Sequence, residues 1–394
     1  MAMIAHDIGW QVFGSDISVS PMTDELTKLN AQFNIGVQDG TYLKQVNQTQ
    51  KIDYFVYSSA IKEGHPELEL AKELNIKCIK RDDLINLILD RQNLKMLAVA
   101  GTHGKTTTTA MVAWLLTQFN EPISYSIGST INFGNSGSWQ SGSEYFIYEA
   151  DEYDRNFLNF NPYLSLITNV DYDHPDIYPT QEDYVIAFKQ FESRSKFIIL
   201  PVNEKDIIPG IKLNGLHNRK NATAAILAVQ KIYPELELRS LLEIINDFPG
   251  TGRRMERIAD KIYSDYAHTP EELKSSMQML SEMFDQENII AVYQPHQNAR
   301  QVEIIEDGGY GESLSLASKI YWLPTYLTRE NQTEALQPAQ LMASLSNSGL
   351  AESAQMNDEL ITKLKVEHSL GSVIVFFGAG DIDAWARENL NKLI

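Results

Sequence analysis

Gly101, Gly104, Lys105 and Thr106 stand in the stretch KMLAVAGTHGKTTTTAMVA (95–113), where an apolar run gives way to a glycine turn, a lysine and four threonines. That order suits an anion. A helix N-terminus presents unpaired N–H groups and a partial positive charge. Glycines let the backbone approach a phosphate, the lysine reaches the β- and γ-phosphates, and the threonine hydroxyl ligates Mg²⁺. The general phosphate-loop pattern asks for a glycine five positions before Gly104, and Val99 stands there. A plain strand-to-helix turn would use glycine to relieve strain and threonine as a cap. Four consecutive β-branched residues are poor helix formers, however, and need a further reason. The turn reads as a nucleotide site.

A nucleotide-bound Mg²⁺ needs more hard oxygen ligands than one threonine. YEADEYD ends an apolar run with Glu149, Asp151, Glu152 and Asp154, and ITNVDYDHPDIYP places Asn169, Asp173 and His174 after another. In parallel sheets the strand C-termini line the ligand crevice, so Glu149 is a candidate metal ligand. Each feature has a plainer reading, as solvated surface for the acids and as a structural turn for the histidine. NGLHNRKNATAA then sets His217, Asn218 and Asn221 at a helix start. Asn218 suits an N-cap, and the two asparagines together could read the edge of an adenine.

The elements that must position these residues alternate between strands and helices, the signature of α/β architecture with mainly parallel sheets. Strands are expected at 54–60, 95–100, 144–150, 164–170, 196–200, 261–267, 289–295, 319–324 and 372–380. A helix over 219–232 puts Ala222, Ala225, Ile226 and Val229 on one face. Polar LDRQNLK (89–95) and NDFPGTGRR (246–254) divide the 394 residues into segments 1–93, 94–247 and 248–394. The segment 325–360 is polar and carries no sharp pattern. A net charge of −19 argues against nucleic acid and against an anionic membrane surface. Cys78, the only cysteine, excludes an internal disulfide and fits a reducing compartment, with the simple role of an apolar strand residue. No apolar run approaches a membrane span and no leader pattern opens the chain, so the expected address is the cytoplasm.

GTHGKTTTT, EADEYD, TNVDYDHPD and HNRKNATAA, in this order, resemble the central domain of the ATP-dependent Mur ligases of peptidoglycan synthesis. FPGTGRRMERI, SDYAHTPEEL and FFGAGDI resemble that family's C-terminal segment. The resemblance implies three domains: a Rossmann-like domain for the UDP end (1–93), a central phosphate-loop ATPase (94–247) and a C-terminal Rossmann-like domain that closes on the nucleotide (248–394). It implies ATP held by Gly101, Thr102, His103, Gly104, Lys105, Thr106 and Thr107, with Lys105 on the phosphates. Thr106, Glu149 and His174 would surround two Mg²⁺ ions. Asn218 and Asn221 would hold adenine, Arg254 a phosphate and Asp265 the ribose. Asp16, Ser59, Asn169 and Tyr266 would contact substrate, while His268 and Arg300 would face substrate and the transferred phosphoryl group. SSAIKEGHPELELAKELNI, DYAHTPEE and YQPHQNAR point to the branch that joins L-alanine to UDP-N-acetylmuramate through an acyl-phosphate. Closing on the nucleotide would exclude the water that destroys that intermediate.

The chain departs from the pattern in three places. The family opens with a strand and a glycine-rich turn that cradle the UDP diphosphate, whereas MAMIAHDIGWQVFGSD aligns with the helix and strand that follow. A trimmed or mis-assigned start is expected rather than a lost UDP grip, leaving the first sheet short of a central strand. About 15 residues separate KFIIL from NGLHN, where relatives carry a small β-rich insertion. Gln297 stands where an arginine is usual, replacing a bidentate cation with a neutral amide. EADEYD and RRME also resemble the branch that reattaches recycled tripeptide to UDP-N-acetylmuramate, which is the alternative reading. A non-catalytic ATP-binding protein is the other.

Overall fold

The computed structural model describes residues 1–58, 61–175, 177–284, 289–327 and 336–394. The chain forms two compact units, Met1–Ile208 with Asn221–Pro249, and Pro209–Lys220 with Gly250–Ile394. Residues 1–93 fall in the same unit as the segment that follows them.

The first unit is built on a six-stranded sheet in which Lys95–Ala100 is central. Its residues from Met96 onward are buried on both faces, the mark of a parallel strand covered by helices. It pairs in parallel with Tyr145–Glu149 on one side and Leu164–Ile167 on the other. The register sets Val99 opposite Glu149 and Ala100 opposite Ile167, so three strand ends lie side by side. This alignment pairs the central strand with residues 50 and 67 positions further along the sequence. Phe197–Ile199 and Ser124–Ser126 extend the sheet, and Gly137–Ser138 closes it antiparallel.

Helix Lys105–Gln118 explains its threonines by burial. Thr106 to Thr109 are all shielded, with Thr108 and Thr109 fully so, and Thr109 Oγ1 donates to Lys105 O at 2.8 Å. Packing here overrides helix propensity. Below the sheet, Phe146, Phe157, Phe160, Tyr178, Tyr184, Phe188 and Phe191 form a dense aromatic core. The front of the unit holds two parallel pairs, Phe13–Asp16 with Gln32–Ile35 and Tyr54–Tyr57 with Lys77–Lys80. Ser15 Oγ donates to the buried Glu67 at 2.6 Å, tying the first pair to helix Pro66–Glu73.

The second unit carries a sheet ordered Glu256–Ala259, Ile262–Asp265, Val373–Phe377, Ile289–Tyr293, Lys319–Trp322 and Ala351–Ser353. All neighbours are parallel except the first pair. Alternation divides its side chains between two cores, Ala291 and Tyr293 in one, Ile290 and Val292 in the other.

All nine expected strands are present, several shortened at their C-terminal ends. The sixth and seventh give physical reasons: Ile262–Asp265 ends where the Asp265 carboxylate wraps back onto Met255 N and Ala267 N, and Ile289–Tyr293 ends two residues before Pro295, which cannot donate to a ladder. The 54–60 strand ends at Tyr57, and its last two residues lie outside the described ones. Seven strands were not expected: Phe13–Asp16, Gln32–Ile35, Lys77–Lys80, Ser124–Ser126, Gly137–Ser138, Glu256–Ala259 and Ala351–Ser353. They are short or polar, and too brief for a period to show. Cys78 lies in one of them, half-buried and unpaired, with burial pushing its thiol pKa up. The helix expected at 219–232 starts at Leu216, so Asn218 is not its N-cap but lies inside the first turn. Within 325–360 the described residues include helix Pro338–Met342 and strand Ala351–Ser353.

Candidate active site

Two glycines shape the turn after Ala100. Gly101 has φ +137° and Gly104 φ +80°, both in the region that side chains avoid. A Cβ on Gly101 would lie 2.1 Å from Thr168 Oγ1 and 2.9 Å from Asn169 O, and one on Gly104 would lie 2.9 Å from Asn221 Oδ1. The turn therefore presses against the neighbouring strand end. It is bonded there as well: His103 N donates to Asn169 Oδ1 at 2.8 Å and Thr168 Oγ1 donates to His103 O at 2.5 Å. Thr102 Oγ1 donates to Asp171 O at 2.6 Å, accepts from Asp171 N at 2.9 Å and meets the Tyr184 hydroxyl at 2.8 Å. Thr102 spends its one hydroxyl proton on Asp171 O, so the Tyr184 phenol, its pKa pushed up by burial, is the donor between them.

Lys105 opens the helix and folds back over the turn. Its Nζ donates to Gly101 O at 2.7 Å and to Glu152 Oε2 and Oε1 at 2.7 and 2.8 Å. Glu152 is fully buried. Burial, the largest single effect, favours its neutral form, yet Lys105 and His174 together outweigh it and hold the carboxyl below its usual value. Burial likewise opposes the lysine charge, and Glu152 and Asp151 outweigh it. His174 Nε2 stands 3.6 Å from Glu152 Oε1, with its ring edge-on to Tyr153. Burial pulls the imidazole pKa down, but Glu152 and Asp173 together bring it above the ordinary value.

Glu149 has a different neighbourhood. Its Oε1 accepts the Thr106 hydroxyl at 2.8 Å and its Oε2 accepts Gly128 N at 2.8 Å. A hydroxyl and a carboxylate at this spacing are hard oxygen donors that fit Mg²⁺. His174 keeps company with Glu152 rather than with Glu149. Among the described residues no three His, Cys, Asp or Glu side chains group as a metal cage. Asn221, buried, sits beside Gly104, and Thr107 is buried in the first helical turn.

In the second unit, Arg253 and Arg254 both lie over the Tyr266 ring, 4.9 and 4.5 Å from its centre. Arg253 is tied down: its Nη2 donates to Gly378 O at 2.7 Å and lies 3.3 Å from Gly380 O. Arg254 presents the second guanidinium on the ring. Asp265 is buried and accepts from Met255 N at 2.6 Å, Ala267 N at 2.9 Å and Ser276 Oγ at 3.1 Å. These bonds hold the arginine turn, where Arg253 and Met255 both have positive φ. His268 Nδ1 stands 3.1 Å from Glu272, and Arg300 Nη1 donates to Glu303 at 2.9 Å. Gln297 sits at the head of helix Asn298–Glu306 with φ +58° and ψ +126°. Asn218 Nδ2 donates to Asn214 O at 3.0 Å. Back in the first unit, Asp16 is exposed at the end of strand Phe13–Asp16 and accepts from Ser18 N at 3.3 Å. Ser59 lies outside the described residues.

Sequence reasoning passed over Glu152, the lysine's buried counter-ion, and Gly128, whose added Cβ would lie 2.8 Å from Glu149 Oε2. It also passed over Arg253 and Tyr178, whose hydroxyl donates to Glu152 O at 2.6 Å. Gly128 had a signal, a lone glycine directly after the alternating stretch ISYSI. Glu152 had only its membership of an acidic cluster.

Three family profiles cover most of the chain: the Mur ligase family catalytic domain over residues 1–93, the Mur ligase middle domain over 99–206 and the Mur ligase glutamate ligase domain over 253–380. A UDP-N-acetylmuramate–L-alanine ligase of Christiangramia forsetii is 30% identical, with 92% of this chain and 86% of that protein aligned. The enzyme of the same name from Aquifex aeolicus is 28% identical over 100% of this chain and 94% of its own length. The crystal structure of a UDP-N-acetylmuramate–alanine ligase from Thermotoga maritima superposes with TM-score 0.79 at 23% identity, over 99% of this chain and 95% of that one. A murein peptide ligase from Psychrobacter arcticus gives 0.66 at 20% identity, over 100% and 95%. With a braced glycine turn, a buried lysine and a Thr106–Glu149 pair at adjoining strand ends, and relatives of this kind along its full length, the chain belongs to the Mur ligase family.

Proposed function

We propose that this chain is an ATP-dependent, ADP-forming ligase that joins L-alanine to UDP-N-acetylmuramate. The observation that carries the reading is the convergence of Lys105, the Thr106–Glu149 pair and Asn169 at three neighbouring parallel strand ends. The names of the full-length relatives supply the substrate class.

In this reading the turn N–H groups and Lys105 receive the β- and γ-phosphates, and Asn218 and Asn221 take the adenine. Thr106 and Glu149 would hold Mg²⁺, with His174 as a further ligand, and the ion supplies positive charge against the phosphoryl oxygens. Arg254 offers a guanidinium already oriented by the Tyr266 ring. Asp265 makes its contribution by fixing that turn, and the ribose contact is assigned to it by family likeness. The substrate carboxylate attacks the γ-phosphorus, ADP leaves, and the alanine amine then displaces phosphate from the acyl carbon to form the amide. Asp16, Ser59, Tyr266, His268 and Arg300 are assigned to substrate on the same likeness. The domain limits 1–93, 94–247 and 248–394 and a cytoplasmic setting complete the proposal. No helix among the described residues is long and apolar enough to cross a membrane.

Mass spectrometry of the product formed from UDP-N-acetylmuramate with a panel of amino acids and peptides tests the acceptor. The expected product gains one alanine. Product with tripeptide but none with alanine would assign the chain to peptide recycling instead.

A further inference from the structure

Two strand ends that the ligase reading uses are not neighbours in the second unit's sheet. Ile262–Asp265, which leads to His268, and Ile289–Tyr293, which leads to helix Asn298–Glu306 and Arg300, both pair with Val373–Phe377. Asp265 and Tyr293 stand opposite the same residue, Phe377, and so lie two strand spacings apart, about 10 Å. The ladder therefore leaves the separation of the His268 loop and the Arg300 helix to side chains.

Those side chains are polar groups in an apolar core. Tyr293 and Tyr310 are buried against Trp322, each nearly perpendicular to its ring with centres 4.8 Å apart. The Tyr293 hydroxyl donates to His268 O at 2.9 Å and meets the Tyr310 hydroxyl at 2.9 Å. Tyr310 donates in turn to Gln301 Oε1, and Gln301 Nε2 donates to His296 O at 3.1 Å. Gln301 is itself fully buried and adjoins Arg300 on the helix. One chain of hydrogen bonds thus runs from the His268 backbone to the helix that carries Arg300. Each hydroxyl has one proton and the two share three contacts, so loss of either disturbs the other's bond. Burial pushes both phenol pKa values up, which keeps the chain protonated.

Packing does not ask for these hydroxyls. Phenylalanine would fill the same ring positions, and a buried hydroxyl costs free energy that only its bonds offset. Tyr310 also needs a special backbone. Gly309 and Gly311 flank it at φ +80° and +45°, and a Cβ on Gly309 would lie 2.4 Å from Ser344 Cβ.

We propose that Tyr293, Tyr310 and Gln301 are positioning residues, whose buried hydrogen bonds fix the His268 loop and the Arg300 helix at the spacing that receives the acceptor amino acid. The inference rests on the ligase reading above, in which His268 and Arg300 face substrate. A guanidinium and an imidazole suit a carboxylate, and the acceptor amino acid keeps its carboxylate through the reaction.

Steady-state kinetics on the full chain, with L-alanine varied at saturating ATP and UDP-N-acetylmuramate, test the assignment. Tyr293→Phe and Tyr310→Phe keep the rings and should each raise the alanine KM roughly tenfold, the size of one buried hydrogen bond. The kcat at saturating alanine and the KM for ATP should stay within about twofold, because only acceptor binding is loosened. The double variant should be no worse than roughly tenfold, since both substitutions cut one chain. A multiplied, roughly hundredfold effect would mean two separate contacts and overturn the proposal. So would single variants that lower the unfolding temperature but leave the alanine KM unchanged, the signature of a merely structural bond. Should either variant fail to fold, Gln301→Met, at the far end of the chain and linked to His268 through the two phenols, should raise the same KM; an unchanged value there overturns the proposal too. If the parent forms no alanine-dependent product, the ligase reading falls and this inference with it, whereas an active parent with unaffected variants removes the inference alone.

Discussion

Replacing Gly101 by alanine sets a methyl carbon 2.1 Å from Thr168 Oγ1, 2.9 Å from Asn169 O and 3.0 Å from Asn169 N. Thr168 can rotate away only by giving up its bond to His103 O, worth about 1 kcal/mol. The Asn169 contacts are backbone and cannot rotate, so the strand end itself must shift, at about 1–3 kcal/mol for overpacking. The backbone at φ +137° adds about 1–2 kcal/mol of strain for a side chain. Together the substitution should cost about 3–6 kcal/mol in the first unit. With a urea slope of about 2–3 kcal/mol per molar, the midpoint should fall by roughly 1–3 M. Trp114 reports on this unit, because it lies on the helix after the turn, packs on Phe133 and donates Nε1 to Ile244 O at 3.0 Å. Its fluorescence should follow the shifted transition, and ATP binding should be lost with the turn geometry. A midpoint within about 0.3 M of the parent, with ATP binding intact, would refute the reasoning that glycine is required here.

Other outcomes follow from single contacts. Thr106→Val removes the hydroxyl that Glu149 accepts; phosphate release titrated against Mg²⁺ should show at least a roughly hundredfold loss, with thermal stability changed by only about 1 kcal/mol. Arg253→Lys forfeits the fork that reaches Gly378 O and Gly380 O and should destabilise the second unit by about 1–3 kcal/mol in urea unfolding. Arg254→Ala, by contrast, should leave unfolding within about 1 kcal/mol while lowering kcat. The carboxyl of Glu282 is held at about 2 against an ordinary 4.5, first by the Arg219 guanidinium, against a smaller opposing effect of burial, and further by Gly215 N. A depressed carboxyl binds protons more readily in the unfolded chain, so its stabilisation is complete above pH 4.5 and is lost as pH falls toward 2. Acid titration of Glu282→Gln should therefore lack that limb of the parent's profile.

The parallel strands were legible because they are buried on both faces: MLAVA and YFIY are unbroken apolar runs, and LSLI is interrupted only by Ser165. Phe13–Asp16 and Gln32–Ile35, with polar Gly-Ser-Asp and Gln-Asn in four-residue strands, offered no such run. The site was legible in its glycines, lysine and threonine because their spacing alone encodes the turn. Which acid would turn inward was not. In YEADEYD the answer depends on Asp154 and Arg155, consecutive residues at φ +53° and +58°, which reverse the chain after Glu152 and send Phe157 into the aromatic core. Two left-handed side-chain-bearing residues in a row have no sequence signal. Nor did composition reveal that Arg253 is fastened to the Gly378–Gly380 loop while Arg254 lies on the Tyr266 ring, since the pair is adjacent and chemically identical.

Phosphate release from Mg²⁺–ATP, measured with UDP-N-acetylmuramate and L-alanine supplied singly and together, tests the central claim most directly. The account predicts release that requires both substrates and disappears in Lys105→Ala. Release with neither substrate, or none under any combination, would contradict it.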